Sequence, residues 1–334
     1  MENSFFILSN KRDVVLTRLH FCTWDLAPQK TSMELGIEIA PPFSASSELE
    51  DLKIYFCAPW LNNKCQIKSL HDRFEDNGNC RFIFNETLDE FSPIDRDTRN
   101  GILLHFSCGR SIAVLPADFS IEESKLIFYV TKTQKIPVDV PLYIRVLIKT
   151  NRETFALIKN GITQKNYIFD FKINERRNLP DNIFQLKKNK YLDFCRINKV
   201  FCLHAISSDC EISFIDSQKL KNVRKLETNA FSKYLNDLQK ISDNNYIITF
   251  CKDEEKSSYS FFSVFKKEII GTPQILFAIV ANIVCSLLFA IGSFRITYQN
   301  DSPWYYQLPP EYILAVVIVI VIFSFIIINR KFVK

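Results

Sequence analysis

ILFAIVANIVCSLLFAIGSF, residues 275–294, decides the class of this protein. The stretch carries no charge, and as a helix rising about 1.5 Å per residue it reaches about 30 Å, the thickness of a bilayer's hydrocarbon core. A second run, YILAVVIVIVIFSFIII at 312–328, is shorter, more apolar and again uncharged. Its β-branched residues favour strand, but a lone strand in lipid would leave every backbone polar group unpaired. Two transmembrane helices are therefore expected, the first at 275–294 and the second at 312–328. Between them lies RITYQNDSPWYYQLPPE at 295–311, where three prolines forbid a continuous helix and Trp304, Tyr305 and Tyr306 suit the lipid–water interface.

Basic residues near the spans set the orientation. Lys266 and Lys267 precede the first span, and Arg330, Lys331 and Lys334 follow the second, in a basic tail at 329–334. The connecting loop holds Arg295 with Asp301 and Glu311. The expectation is a multi-pass protein of the inner (plasma) membrane, with both termini cytoplasmic and a short external loop. The start, MENSFFILSNKRD, has an acidic second residue and too short an apolar stretch for a signal peptide.

Outward from the membrane segments, residues 1–268 read as strands. Alternating or β-branched and aromatic runs recur at 5–8, 14–22, 35–39, 52–57, 81–84, 102–106, 126–131 and 142–150. They continue at 167–173, 191–197, 200–206, 246–251 and 259–265, with Asn, Asp, Ser and Pro between them. This spacing predicts a mainly β cytosolic head, sandwich- or barrel-like, followed by an α-helical transmembrane hairpin. One helix is expected near 228–241, where Phe231, Tyr234, Leu235 and Leu238 fall on one face. The turn pair Asn160-Gly161 suggests dividing the head into a β-rich domain at 1–160 and a more basic β-rich region at 161–268. The 334 residues are 47% hydrophobic and 24% charged, which excludes a disordered chain. Seven glycines, none closer than eight residues to the next, exclude a Gly-rich phosphate loop.

No catalytic motif of the HExxH, GxSxG or paired CxxC type is present, so an enzyme is not expected, and neither is a cofactor. Ten cysteines stand among four histidines. In a cytosolic head they are expected as thiols; in a lumenal one they would pair, and Asn85-Glu86-Thr87 would accept a glycan. His20-x-Cys22 and Cys202-x-His204 each put two ligand types on one face of a strand, and pairing of those strands would offer two nitrogens and two sulfurs to zinc. Cys57, Cys65, His71 and Cys80 form a looser set. Against both stands the behaviour of cysteine as a small buried hydrophobe.

Two features point to function. In the first span Ala278, Asn282, Ser286 and Ala290 recur every fourth residue, a small or polar stripe that packs either on the second span or between copies of the chain, where Asn282 and Ser286 would face a shared polar path. Across 172–199, eight cations face three carboxylates, with Phe184, Tyr191 and Phe194 interleaved. Arg176, Arg177, Lys187, Lys188, Lys190 and Arg196 are the candidates there for holding a nucleic acid, a nucleotide or anionic lipid.

The two apolar runs, the basic tail NRKFVK and the β-rich head together resemble the two-helix membrane effectors of bacterial abortive-infection systems, retron and CBASS effectors among them. The resemblance is architectural and covers the whole chain. It implies an antiviral toxin that permeabilises the inner membrane when activated, acts as a homo-oligomer, and is controlled by another component. That component would be a reverse transcriptase with its DNA–RNA hybrid, or a nucleotide signal, bound at the cytosolic head. A different reading is a constitutive assembly or chaperone subunit tethered in the endoplasmic reticulum membrane, with a disulfide-bonded lumenal β-domain.

Overall fold

A computed structural model describes residues 3–24, 32–41, 52–95, 101–130, 135–150, 155–161, 163–226, 234, 246–298, 313–314, 316–318 and 320. They form two compact units, one of 1–159 with 166–267 and one of 160–165 with 268–334.

Among the described residues nineteen strands make two sheets. In chain order they are β1 (Ser4–Ser9), β2 (Val15–Trp24), β3 (Ser32–Ile39), β4 (Leu52–Cys57), β5 (Gln66–Ser69) and β6 (Leu88–Pro93). Then follow β7 (Ile102–Phe106), β8 (Ser111–Leu115), β9 (Asp118–Glu122), β10 (Lys125–Val130), β11 (Leu142–Lys149), β12 (Leu157–Asn160) and β13 (Gln164–Ile173). The last six are β14 (Asp193–Phe194), β15 (Arg196–Ser207), β16 (Cys210–Ile215), β17 (Leu220–Leu226), β18 (Tyr246–Glu254) and β19 (Tyr259–Glu268). The first sheet runs β16-β19-β13-β1-β4-β10-β9 and the second β17-β18-β15-β2-β3-β11-β8-β7-β6. The expected mainly β head is what forms, as two sheets packed face to face.

Period-two alternation explains the packing. Phe5 and Ile7 of β1, Ile54 and Phe56 of β4, and Phe169 and Phe171 of β13 meet Leu35 and Ile37 of β3, Ile144 and Val146 of β11, and Val200 and Cys202 of β15 in one buried core. The outer face of the second sheet is buried too, under helix α1 (Asn77–Phe84) and the 3-10 turn His71–Glu75, in a cluster with Leu104, Tyr143, Leu203 and Ile248. On the outer face of the first sheet, Phe6, Leu8, Tyr55 and Ile127 take Ile183 of helix α2 (Asp181–Asn189). A strand buried on both faces reads as an unbroken apolar run, as Phe5–Leu8 of β1 does.

Several expectations are corrected. Residues 81–84 close helix α1 rather than forming a strand. Asp76 caps that helix by accepting from Gly78 N at 2.8 Å and Asn79 N at 3.2 Å, and Asn85 ends it with a φ of 53°. Helix α2 was not foreseen, because it is short and carries only Ile183, Phe184 and Leu186 as apolar residues. The turn pair at Asn160-Gly161 joins β12 to β13, with Gly161 N donating to Gln164 O at 2.8 Å. Strands from both sides of it interleave, β13 beside β1 and β15 beside β2. Of the expected helix at 228–241 only Tyr234, which is helical, lies within the described residues.

Helix α3 (Thr272–Tyr298) contains the first expected span and continues four residues beyond it. Its segment Gln274–Ile291 has a mean hydropathy of 2.4 and is long and apolar enough to cross a membrane. Of the second expected span, 313–314, 316–318 and 320 are helical, and the remainder of 312–328, like most of the loop before it, falls outside the described residues.

Candidate anion-binding groove

The basic segment is shaped by its apolar residues. Ile183 and Leu192 are buried against the first sheet and fix α2 and the turn after it. Cys195 and Ile197 point inward, so Arg196 between them points out. Cys195 N donates to Ile7 O at 3.0 Å and Arg196 N to Val14 O at 2.9 Å, which seats the segment beside β1 and β2. Asn174, at a φ of 52°, secures it from below: its Oδ1 accepts from Ile7 N at 2.8 Å, and its Nδ2 donates to Cys195 O at 3.4 Å.

Two cavities open along this segment. One of about 750 Å³ is lined by Asn174, Arg176, Phe194, Arg196, Lys199, Lys256 and Tyr259 among others. The next, of about 370 Å³, is lined by Arg12, Asp13, Lys187 and Asp193, and shares Arg176, Phe194 and Arg196 with the first. The shared wall makes them one groove. Arg176 lies 4.9 Å over the Phe194 ring and the Lys187 ammonium 5.6 Å from its centroid.

Charge in the groove is not balanced locally. Asp193 is held by Arg12 at 3.7 Å and Lys187 at 3.6 Å, and Lys256 by Asp253 at 2.8 Å. Among the described residues no carboxylate is in ion-pair contact with Arg176 or Arg196; Lys199 stands opposite Glu254 across the β15–β18 pair, and Glu255 also lines the larger cavity. A third cavity of about 490 Å³, sharing Asn198 and Lys199, differs in this respect. Its Arg18 and Arg110 bind Glu86 at 2.7 and 3.0 Å, and both reach Glu38. Partial burial pushes the Glu86 carboxyl up, but the bonds from Arg18 and Arg110 outweigh it and the net shift is down.

The structure thus gathers Arg176, Lys187 and Arg196 of the predicted basic residues. Arg177 sits elsewhere, exposed and 3.3 Å from Glu175. Lys188 is exposed on α2. Lys190 is 3.6 Å from Glu122 and 5.8 Å from the Tyr55 ring. Sequence reasoning missed Arg12 and Lys256, which come from distant turns, and counted Lys199 in the basic run without naming it a candidate.

The zinc arrangement does not form. Strand β15 runs parallel to β2 in a register that sets Cys202 beside Phe21 and His204 beside Thr23. His20 and Cys22 therefore face the outer side of the second sheet, while Cys202 and His204 face the core between sheets. Cys57, Cys65 and Cys80 fall into three separate apolar clusters. No three metal-ligating side chains converge among the described residues. All ten cysteines are thiols, and all but Cys108 are buried. Burial raises the thiols of Cys22 and Cys202 well above their ordinary range and those of Cys57, Cys80 and Cys195 to about 12.

A buried charge network on the second sheet also escaped the sequence reading. Glu34 accepts from Arg145 Nε at 2.8 Å, Trp24 Nε1 at 2.9 Å and the Tyr234 hydroxyl at 2.6 Å. Arg145 Nη1 donates to the Tyr143 oxygen at 2.9 Å, and that hydroxyl lies 2.8 Å from His20 Nδ1. Burial, then the nearby Arg145, Arg18 and Arg110, hold His20 well below the usual histidine range. The imidazole is therefore held neutral beside the Tyr143 hydroxyl. Glu34, Arg145 and Tyr143 are fully buried, and their bonds tie β2, β3 and β11 together, so the network organises the fold. The visible signal was the charged residues inside the apolar strands MELGIEIA and LYIRVLIK.

In α3 the stripe residues Ala278, Asn282, Ser286 and Ala290 are exposed, whereas Ala281, Cys285 and Leu288 are the more covered positions. Ser286 Oγ donates to Asn282 O at 2.8 Å, which satisfies that hydroxyl within the helix. No protein-family model matches this chain, and no curated protein matches its sequence.

Proposed function

We propose that this protein is a membrane-anchored effector of an anti-phage, abortive-infection type. Its β head receives a polyanionic or protein-borne signal in the basic groove, and its C-terminal apolar segment permeabilises the inner membrane as an oligomer. Both termini lie in the cytoplasm in this reading. The observation that carries it is the exposed Ala278-Asn282-Ser286-Ala290 stripe on a helix of membrane length. An amide near the middle of a bilayer is costly without a partner, and a second copy of the same stripe supplies one. Signal and response are coupled if the ligand binds the two oligomeric states unequally, by several kcal/mol for a full switch. The lumenal chaperone reading needs disulfides, and the buried thiols do not favour it.

Induced expression in bacteria, followed with a potential-sensitive dye, tests this. Collapse of the potential is expected for the natural chain, with a weaker collapse for Asn282→Leu and for Ser286→Ala. A chain that accumulates in the membrane and leaves the potential intact would remove the effector role.

A further inference from the structure

We infer that the groove around Arg176, Phe194, Arg196 and Lys199 is a binding site for single-stranded nucleic acid. This deepens the sensing role proposed above for the same groove.

Three observations converge. The groove is two cavities in series, of about 370 and 750 Å³, joined at Arg176, Phe194 and Arg196. Two joined cavities of this volume have room for several phosphates rather than a single small anion. The two cations of the shared wall, Arg176 and Arg196, have no carboxylate in ion-pair contact among the described residues, whereas Arg18 and Arg110 in the neighbouring cavity are neutralised by Glu38 and Glu86. The positive charge is therefore concentrated where the two cavities meet. Finally, Arg176 lies 4.9 Å over Phe194. A guanidinium held over a ring offers its other face to a base, and guanidinium planes and aromatic rings are the usual platforms for unstacked bases. Bases in a duplex are already stacked and cannot use such a platform. A lipid headgroup would use the cations and leave the platform idle.

The test uses the full chain in neutral detergent and a fluorescein-labelled oligothymidylate of about 12 nucleotides, within the usual site size of single-strand binders. Fluorescence anisotropy is followed as salt is raised. Three phosphate contacts at about −0.7 each predict a log–log salt slope of about −2. Arg196→Gln is expected to flatten that slope by about 0.7 and to weaken binding about tenfold. Arg176→Lys keeps the charge, so the slope is expected to hold while affinity falls severalfold. Lys188→Gln, outside the groove, is expected to change neither.

Absence of binding would overturn the inference, as would groove variants that bind like the natural chain. So would tighter binding to the matching duplex, or to phosphatidylglycerol vesicles than to phosphatidylcholine ones with the same sensitivity to Arg196→Gln, since that pattern assigns the groove to lipid phosphate. Depolarisation is read separately in cells. Its failure would strike the effector reading and leave the binding result standing.

Discussion

Arg176 lies over the ring of Phe194 at 4.9 Å, in the wall shared by two basic cavities. Arg145, by contrast, is buried and bonded to Glu34, Tyr143 and Tyr234. One arginine is left available by the fold, and the other holds it together.

Stability should separate the two. Arg176→Ala loses a solvent-accessible cation–π contact, with an expected cost below about 1 kcal/mol. Arg145→Ala strands the Glu34 carboxylate in the core, with an expected cost of about 3–5 kcal/mol. Urea unfolding of the full chain in neutral detergent measures both. Equal losses would show that Arg145 is not the organising residue described.

Gly36 is expected to tolerate no side chain. A Cβ there would stand 2.2 Å from the Tyr143 oxygen and 3.1 Å from Arg145 Nη1. Gly36→Ala should displace Tyr143 and cost about 1–3 kcal/mol through overpacking, with more added if the bond to His20 breaks. An unchanged urea midpoint would contradict this contact.

Acid should destabilise the head. Burial lowers His204 to about 3, and its imidazole, packed against Phe169 and Phe171, stays neutral in the folded protein. The unfolded chain takes up that proton near its ordinary pKa of about 6.5. As pH falls from there towards 3, the unfolded state binds the extra proton and stability drops by about 1.4 kcal/mol per pH unit for this group. His20 acts in the same direction. Unfolding free energies measured between pH 7 and 4 should show this slope, and His204→Phe should reduce it. A slope unaltered by that substitution would refute the assignment.

Thiol reagents should find Cys108 first. It is the exposed cysteine of the head, while the other eight there are buried, and those with resolved shifts are raised by burial. One rapid labelling event is expected in the folded head and the others on denaturation. Failure of the denatured chain to reveal further thiols would instead indicate disulfides and support a lumenal head.

Where the sequence was legible, the reason is physical. Apolar runs such as 52–57 and 102–106 match strand ends because their residues are buried in alternation or on both faces. Residues 81–84 misled because Cys80, Ile83 and Phe84 are apolar enough for a strand, yet lie on one side of a helix capped by Asp76. The zinc pairing was undecidable, since register decides which face a side chain takes and register follows from long-range pairing. The basic groove was half visible. Arg176, Lys187, Arg196 and Lys199 are close in sequence, whereas Arg12 before β2 and Lys256 after β18 join them only because those strands pair with β15.

The effector reading depends on a β head held to the cytoplasmic side of a bilayer by apolar helix. Alkaline carbonate extraction of bacterial membranes, combined with protease added to sealed spheroplasts, measures this directly. The account predicts that the chain stays with the membrane and that the head is cut only after lysis. A chain released by carbonate, or a head digested in intact spheroplasts, would contradict it.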